Sequence, residues 1–266
     1  MRKDLKAAVT QSRVPTSTQE GEIQVDKLVK EASLKGVDIV GLSEDCLALF
    51  DDIVNGYDAL KYLSNIANKY KVYLFGATLV KENEKLFNRG FFFDREGKLI
   101  LKHDKIVLTP PEVENGLIPG ESLEIVDTEF GKISLLVCKD SFHKYAAWFF
   151  DALRKREVDI VLVPSYSLNI SKRSIELWTD SLKSLSKWFD VYILAPGTIG
   201  KNATPYKSFG HALIYSPKDE ILAEGSEDKE EILYATLDVK SLEEIRSTYG
   251  TKWQPSEIPE FEITEK

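Results

Sequence analysis

Cysteine is nearly missing from this chain of 266 residues, where Cys46 and Cys138 are the only two. That number excludes a disulfide framework, and neither thiol lies in a CxxC pair or a Cys/His cluster with metal-ligand spacing, so no metal site is expected. Histidine is almost as scarce, at three residues. Long apolar runs are lacking too: no segment approaches the roughly 20 residues needed to cross a bilayer. The opening stretch "MRKDLKAAVTQS" has basic residues without the continuous apolar core of a signal peptide. The expectation is a cytoplasmic protein with no membrane partner. Positive charge is in the minority, since 35 Lys and Arg against 43 Asp and Glu give a formal net charge of −8. With no long basic run to attract a phosphate backbone, nucleic acid is set aside and small molecules come first.

What is present reads as an ordinary globular chain, 43% hydrophobic and 29% charged, with no Ser- or Gly-rich linker to divide it. A single domain over 1–266, with a tail from about 247 to 266, is expected. Several short apolar runs end in polar residues with helical stretches between them, as in layered α/β proteins. "KAAVTQS" is a strand, and "EGEIQVDKLVKEASLKG" places Ile23, Leu28, Val29 and Ala32 at roughly helical spacing. "VDIVGLSED" contains an apolar strand over 37–42, "GYDALKYLSNIANKY" a helix, and "VYLFGAT" another strand. Turn residues Asp94 to Gly97 predict a hairpin, and a second hairpin is expected to turn near Glu129 to Lys132. A helix over 143–156 is predicted to bury Tyr145, Trp148, Phe149 and Leu153 on one face. "VDIVLVPSYS" then repeats the form of the earlier "VDIV" strand. A helix over about 172–188 precedes a strand in "VYILAPGTIG" and two more in "HALIYSP" and "ILYATLD".

Three reactive side chains stand at or just past strand ends: Glu44 after "VDIVGL", Lys105 in "LKHDKIVL" and Cys138 after "ISLLV". Ligands gather outside the carboxyl ends of strands in α/β sheets, where backbone groups are open. Together these residues form an acyl-transfer set: a thiol to attack carbon, a carboxylate to take its proton, and an ammonium facing charge that develops on oxygen. A nearby glutamate disfavours the thiolate; Lys105 and the start of the helix after Cys138 are expected to offset that effect. Cys46, two residues past Glu44, reads as packing.

The order and context of these residues resemble the nitrilase superfamily of carbon–nitrogen hydrolases and its Glu, Lys, Cys triad. Supporting stretches are "AAVTQS", "FGATLV", "LFNRGFFFDREGKLI", "LIPGESLEIVDTEFGKI", "VDIVLVPS" and "GHALIYSPKDEILAEG", and the resemblance as a whole covers about residues 6 to 245. The resemblance implies an α/β fold, a four-layer α-β-β-α sandwich of two mixed sheets, and a homodimer or larger homo-oligomer. It implies that Glu44 is the general base, that Lys105 and the backbone N–H of Lys139 stabilise the tetrahedral intermediate, and that Cys138 forms the covalent intermediate. A second glutamate is assigned to Glu112, with Glu114 as the competitor. Asp140 is expected to cap or brace the segment after Cys138 and is grouped with Phe142 and Tyr166 as oxyanion or substrate contacts.

No cofactor is implied. The implied activity is hydrolysis of a small, non-peptide amide or carbamoyl substrate. The alternatives are a non-catalytic binding or scaffold member of the fold, nitrile hydrolysis, or acyl transfer to an amine. One departure stands out. The family pattern after the nucleophile reads Cys-Tyr-Asp-x-Arg-Phe-Pro-Glu, whereas this chain reads "CKDSFHKY": Asp140 is retained, while the arginine, proline and glutamate positions are not.

Overall fold

The computed structural model describes residues 3–201, 205–218 and 220–247. The expected tail therefore lies, from 248 onward, outside the described residues. Strands β1 (Leu5–Arg13), β2 (Ile39–Glu44), β3 (Tyr73–Glu82), β4 (Lys85–Phe93), β5 (Leu99–Asp104), β6 (Ile125–Thr128) and β7 (Gly131–Leu135) are followed by β8 (Ile160–Leu162), β9 (Tyr192–Ala195), β10 (Gly197–Lys201), β11 (Lys207–Phe209), β12 (Leu213–Ser216), β13 (Glu220–Glu224) and β14 (Glu231–Leu237). They form two mixed sheets. The first runs β11-β10-β1-β2-β3-β4-β5, with β14 also pairing with β1, and the second runs β13-β12-β9-β8-β7-β6. The longer helices are α1 (Thr18–Ser33), α3 (Ala59–Tyr70), α5 (Ala146–Arg154) and α6 (Ser174–Phe189), with short α2 (Phe50–Val54) and α4 (Pro110–Glu114) between them.

Side-chain alternation along the strands explains the layering. Successive residues of a strand point to opposite faces. In β2, Ile39 faces the other sheet while Val40 faces the helices; in β4, Phe92 faces inward while Phe91 and Phe93 face out; in β8, Ile160 and Leu162 face inward and Val161 outward. Both sets are apolar, so these strands are sealed on both faces, and each fully buried Leu or Phe stabilises the fold by about 1.5–3 kcal/mol. Val25, Val29 and Ala32 of α1 and Leu63, Ile66 and Ala67 of α3 cover the first sheet. Phe150 and Leu153 of α5, with Trp178, Leu182 and Leu185 of α6, cover the second. The result is the four-layer α-β-β-α sandwich, two mixed sheets face to face with helices outside.

Several sequence expectations need correction. Ile23 is 64% exposed, and Val25 takes its place on the buried face of α1. In α5 the buried stripe is Ala146, Phe150 and Leu153, whereas Trp148 is 71% exposed and Tyr145 also lies at the surface. The helix is also shorter than expected, beginning at Ala146. Strand β2 extends two residues further than the apolar run and takes in Ser43 and Glu44. "VYILAPGTIG" is not one strand: β9 pairs with β8 and β12 in the second sheet, and β10 pairs with β1 in the first. Pro196 between them has no N–H to continue a ladder, so the chain changes sheets there. Gly197 follows because a Cβ at that position would sit 2.7 Å from Ser167 Oγ.

Candidate active site

The carboxyl ends of β2, from the first sheet, and of β7 and β8, from the second, converge. Glu44 is the last residue of β2, where its register against β3 shifts. Lys105 directly follows β5, held by its own N–H to the Asn88 carbonyl and by its carbonyl to Gly120 N–H, at 2.9 and 3.0 Å. Glycine is required at 120, since a Cβ there would lie 2.0 Å from the Asp104 carbonyl oxygen. Cys138 follows β7 by three residues, and its N–H donates to the Pro164 carbonyl at 3.0 Å. Its φ is +47°, a left-handed conformation that a side chain makes unfavourable, by about 1–3 kcal/mol, unless its surroundings hold it.

Lys105 is 2% exposed, and its Nζ donates to Glu44 Oε1 and to Glu112 Oε1, each at 2.8 Å. Glu112 rather than Glu114 thus carries its carboxylate to the lysine. Its second oxygen accepts from Thr109 N–H and Oγ1 at the start of α4, which fixes its rotamer. Burial alone would discharge Lys105, but the carboxylates of Glu44 and Glu112, the second also hydrogen-bonded to it, outweigh burial and hold the ammonium well above its ordinary range. Burial also pushes the Glu112 carboxyl upward; Lys105 and the hydrogen bonds from Thr109 and Asn88 overcome this and lower it. Glu44 is oriented from its other side as well, its Oε2 accepting the backbone N–H of Tyr166 at 2.8 Å.

The thiol is within interaction distance of Glu44, Lys105 and the Tyr166 N–H. Burial, reinforced by the Glu44 charge, raises it well above the usual cysteine range, and the lysine and the N–H offset only part of that. Cys138 therefore rests as a thiol at neutral pH, and only a base that takes its proton could make it reactive. The expected help from a helix start is not there: Cys138–Ser141 form a single 3₁₀ turn, and α5 begins later. The backbone N–H of Lys139 makes no hydrogen bond among the described residues and remains available to an oxyanion. Beside Glu44, Asp45 is half-buried, and burial together with the Glu44 charge pushes its carboxyl up to about 7.

Asp140 does not contact the pocket, contrary to its grouping with the substrate contacts. It is fully buried, with Oδ1 accepting Val107 N–H at 2.7 Å and Oδ2 lying 2.9 Å from His103 Nε2 and 3.3 Å from Val137 N. These bonds tie the Cys138 turn to His103 and to the segment after Lys105. Two further members of the network lie outside the expected set of site residues. Asn88 donates to Glu44 at 2.6 Å and to Glu112 at 2.7 Å, bridging the two carboxylates. His103 pairs with Asp140. The available signal for Asn88 was an amide inside "LFNRGFFF", an apolar strand run where asparagine is disfavoured.

Cys138 opens on a pocket of about 730 Å³. Phe142, Tyr166, Trp178, Leu177 and Phe209 supply apolar wall, Lys139 and Ser167 also line it, and Pro110 and Pro111 of α4 close one side. Trp178 Nε1 donates to the His211 carbonyl, which fixes the indole. His143, five residues past Cys138, lines a separate surface groove with Tyr145 and Trp148. Among the described residues no group of His, Cys, Asp and Glu side chains could hold a metal ion. None of the described helices is long and apolar enough to cross a membrane.

Comparisons with known proteins agree with this architecture. The omega-amidase NIT3 of Saccharomyces cerevisiae is 28% identical over 218 residues, covering 77% of this chain and 73% of that protein. The omega-amidase NIT2 of Mus musculus is 26% identical over 258 residues, covering 91% of each. The crystal structure of Saccharomyces cerevisiae Nit3, a member of branch 10 of the nitrilase superfamily, superposes with a TM-score of 0.81 at 23% identity over 92% of this chain and 94% of that one. The carbon–nitrogen hydrolase family model matches residues 6–247. With nearly the whole described chain inside that match and the sandwich shared with a nitrilase-superfamily structure, this protein belongs to the carbon–nitrogen hydrolase family.

Proposed function

We propose that this protein is an amidase that hydrolyses small, non-peptide amides through a covalent acyl intermediate on Cys138. The observation that carries the reading is the buried Lys105 ammonium, 2.8 Å from both Glu44 and Glu112, beside a strained thiol that opens on a pocket. Cys138 Sγ attacks the amide carbonyl carbon as Glu44 takes the thiol proton. The Lys105 ammonium and the Lys139 N–H face the oxygen on which charge develops. Collapse of the intermediate breaks the C–N bond, and the amine leaves with the proton held by Glu44, giving a thioester. Water then gives a proton to Glu44 and its oxygen to the acyl carbon, the acid departs, and the thiol is restored. Glu112 anchors the lysine through both steps. The omega-amidase names of the relatives support an amide over a nitrile.

The same reading includes a homodimer or larger homo-oligomer, supported by the exposed aromatic groove of Tyr145 and, on α5, Trp148, and a reducing, cytoplasmic setting, consistent with two free buried thiols. Light scattering coupled to size exclusion gives the mass that decides the first. The activity is tested by ammonia release over a panel of amides, with intact-mass detection of an acyl adduct that disappears in Cys138→Ala. Full turnover by that variant would sink the assignment.

A further inference from the structure

The described lining of the pocket beside Cys138 is mostly apolar and hydroxyl-bearing, with little cationic charge. Phe142 stands where the family pattern after the nucleophile has arginine. Its ring lines the pocket and packs edge-to-face on Trp178, with centroids 5.8 Å apart and planes at 80°. Leu177 and Phe209 extend this apolar wall. Among the described lining residues the one cation is Lys139, whose Nζ donates to the Leu108 carbonyl at 2.8 Å. The buried side-chain atom of that lining left without a partner is Ser167 Oγ, a neutral hydroxyl. Beneath, two carboxyl groups, Glu44 and Glu112, share the single ammonium of Lys105. A carboxylate entering this space loses its water, meets carboxyl groups and finds no guanidinium to replace either.

We propose that the acyl group this site selects is uncharged and mainly apolar, aliphatic or aromatic, and that amides bearing a terminal carboxylate on that group are discriminated against. Phe142 is the specificity-determining residue, and the Ser167 hydroxyl accommodates at most a neutral polar group. This inference rests on the amidase reading and names its substrate class. It also separates this chain from what an ω-amide of a dicarboxylic acid would require, since such a substrate brings a carboxylate into the pocket.

The test compares pentanamide and 3-phenylpropanamide with glutaramate, which matches pentanamide in chain length but ends in a carboxylate. The kcat/KM for ammonia release is expected to be at least about tenfold higher for the two neutral amides, because the carboxylate is desolvated without a partner. Phe142→Arg is expected to raise kcat/KM for glutaramate about tenfold and lower it for pentanamide, Phe142→Leu to keep the neutral preference, and Phe142→Lys to stand in for the arginine variant if that one does not fold. Preference of the wild type for glutaramate, lost in Lys139→Met, would overturn the inference and make Lys139 a carboxylate anchor.

A second readout separates the two readings. With p-nitrophenyl pentanoate and mono-p-nitrophenyl glutarate, Cys138 Sγ bonds to the ester carbonyl carbon, the C–O bond breaks and p-nitrophenoxide is released. Ester selectivity for the pentanoate without amide turnover upholds the inference and removes the amidase reading. Selectivity for the glutarate removes the inference alone, and no acylation of Cys138 by either ester removes both.

Discussion

Two strand ends in this molecule each carry a buried thiol, and they differ in everything but burial. Cys46 follows β2, is 2% exposed, and packs in the cluster between the first sheet and its helices, with its sulfur 3.9 Å from the Ala77 carbonyl. Burial, with Asp45 adding to it, raises that thiol far out of its ordinary range. Cys138 follows β7 and is 7% exposed, and burial raises it too, yet it sits at φ +47° facing Glu44, Lys105 and a pocket. Burial alone makes a cysteine inert. A partner base, an ammonium and an opening give a buried cysteine something to do.

The largest effect expected from breaking this contrast is on turnover. Cys138→Ala should lower kcat for ammonia release by on the order of 10⁴-fold, and Cys46→Ala should leave it within about threefold. If the two substitutions prove equally harmful, the contrast fails.

Next in size is Lys105→Met, which leaves Glu44 and Glu112 facing each other without their shared cation. A loss of about 3–5 kcal/mol in stability is expected from the uncompensated buried charge, along with a drop in kcat on the order of 10³-fold. Chemical denaturation and steady-state kinetics on the same preparation check both. An unchanged unfolding midpoint would show that the lysine does not hold the two carboxylates.

Thiol alkylation sharpens the comparison at a smaller scale. Both thiols are raised, so the reactive thiolate is scarce at neutral pH and its fraction grows as pH rises toward the elevated pKa. Iodoacetamide labelling of Cys138 should therefore be slow at pH 7, climb on the order of tenfold per unit to pH 9 without levelling off, and stay well ahead of Cys46 throughout. A plateau below pH 8, read by peptide mass spectrometry, would mean that Cys138 is already a thiolate in the resting protein.

The smallest effect concerns Cys46 itself. Cys46→Ala removes one sulfur from a packed cluster, and a destabilisation of about 1 kcal/mol, seen as a shift of a few degrees in Tm, is expected from the small cavity.

Much of the frame was legible because strand alternation and apolar runs leave a local trace. "VDIV", "FFF" and "VDIVLV" mark strands sealed on both faces, and Glu44, Lys105 and Cys138 stand out as polar residues at the ends of such runs. The miss in "VYILAPGTIG" came from reading an apolar run through Pro196, and the misplaced face of α5 came from counting aromatic residues on a helix whose exposed side also carries them. Asn88 and His103 leave no local trace of their place in the network because each acts through a partner far along the chain: Glu44 for the first, 44 residues away, and Asp140 for the second, 37 residues away. The pocket wall from Tyr166 to Trp178 has no periodic signature that would reveal which residues face Cys138.

The sequence by itself determined the layers and the chemical types at the strand ends, because side-chain period and hydrophobicity act over a few residues. It also places Phe142 where the family pattern it resembles has arginine. Only the tertiary structure decided which carboxylate meets the lysine, why Cys138 rests protonated, and that Asp140 turns away from the pocket to brace two loops. The contact between Tyr166 N–H and Glu44 spans 122 residues of chain. The character of a buried charge or thiol is set by desolvation and by neighbours brought together through such long-range packing, and no local pattern encodes them.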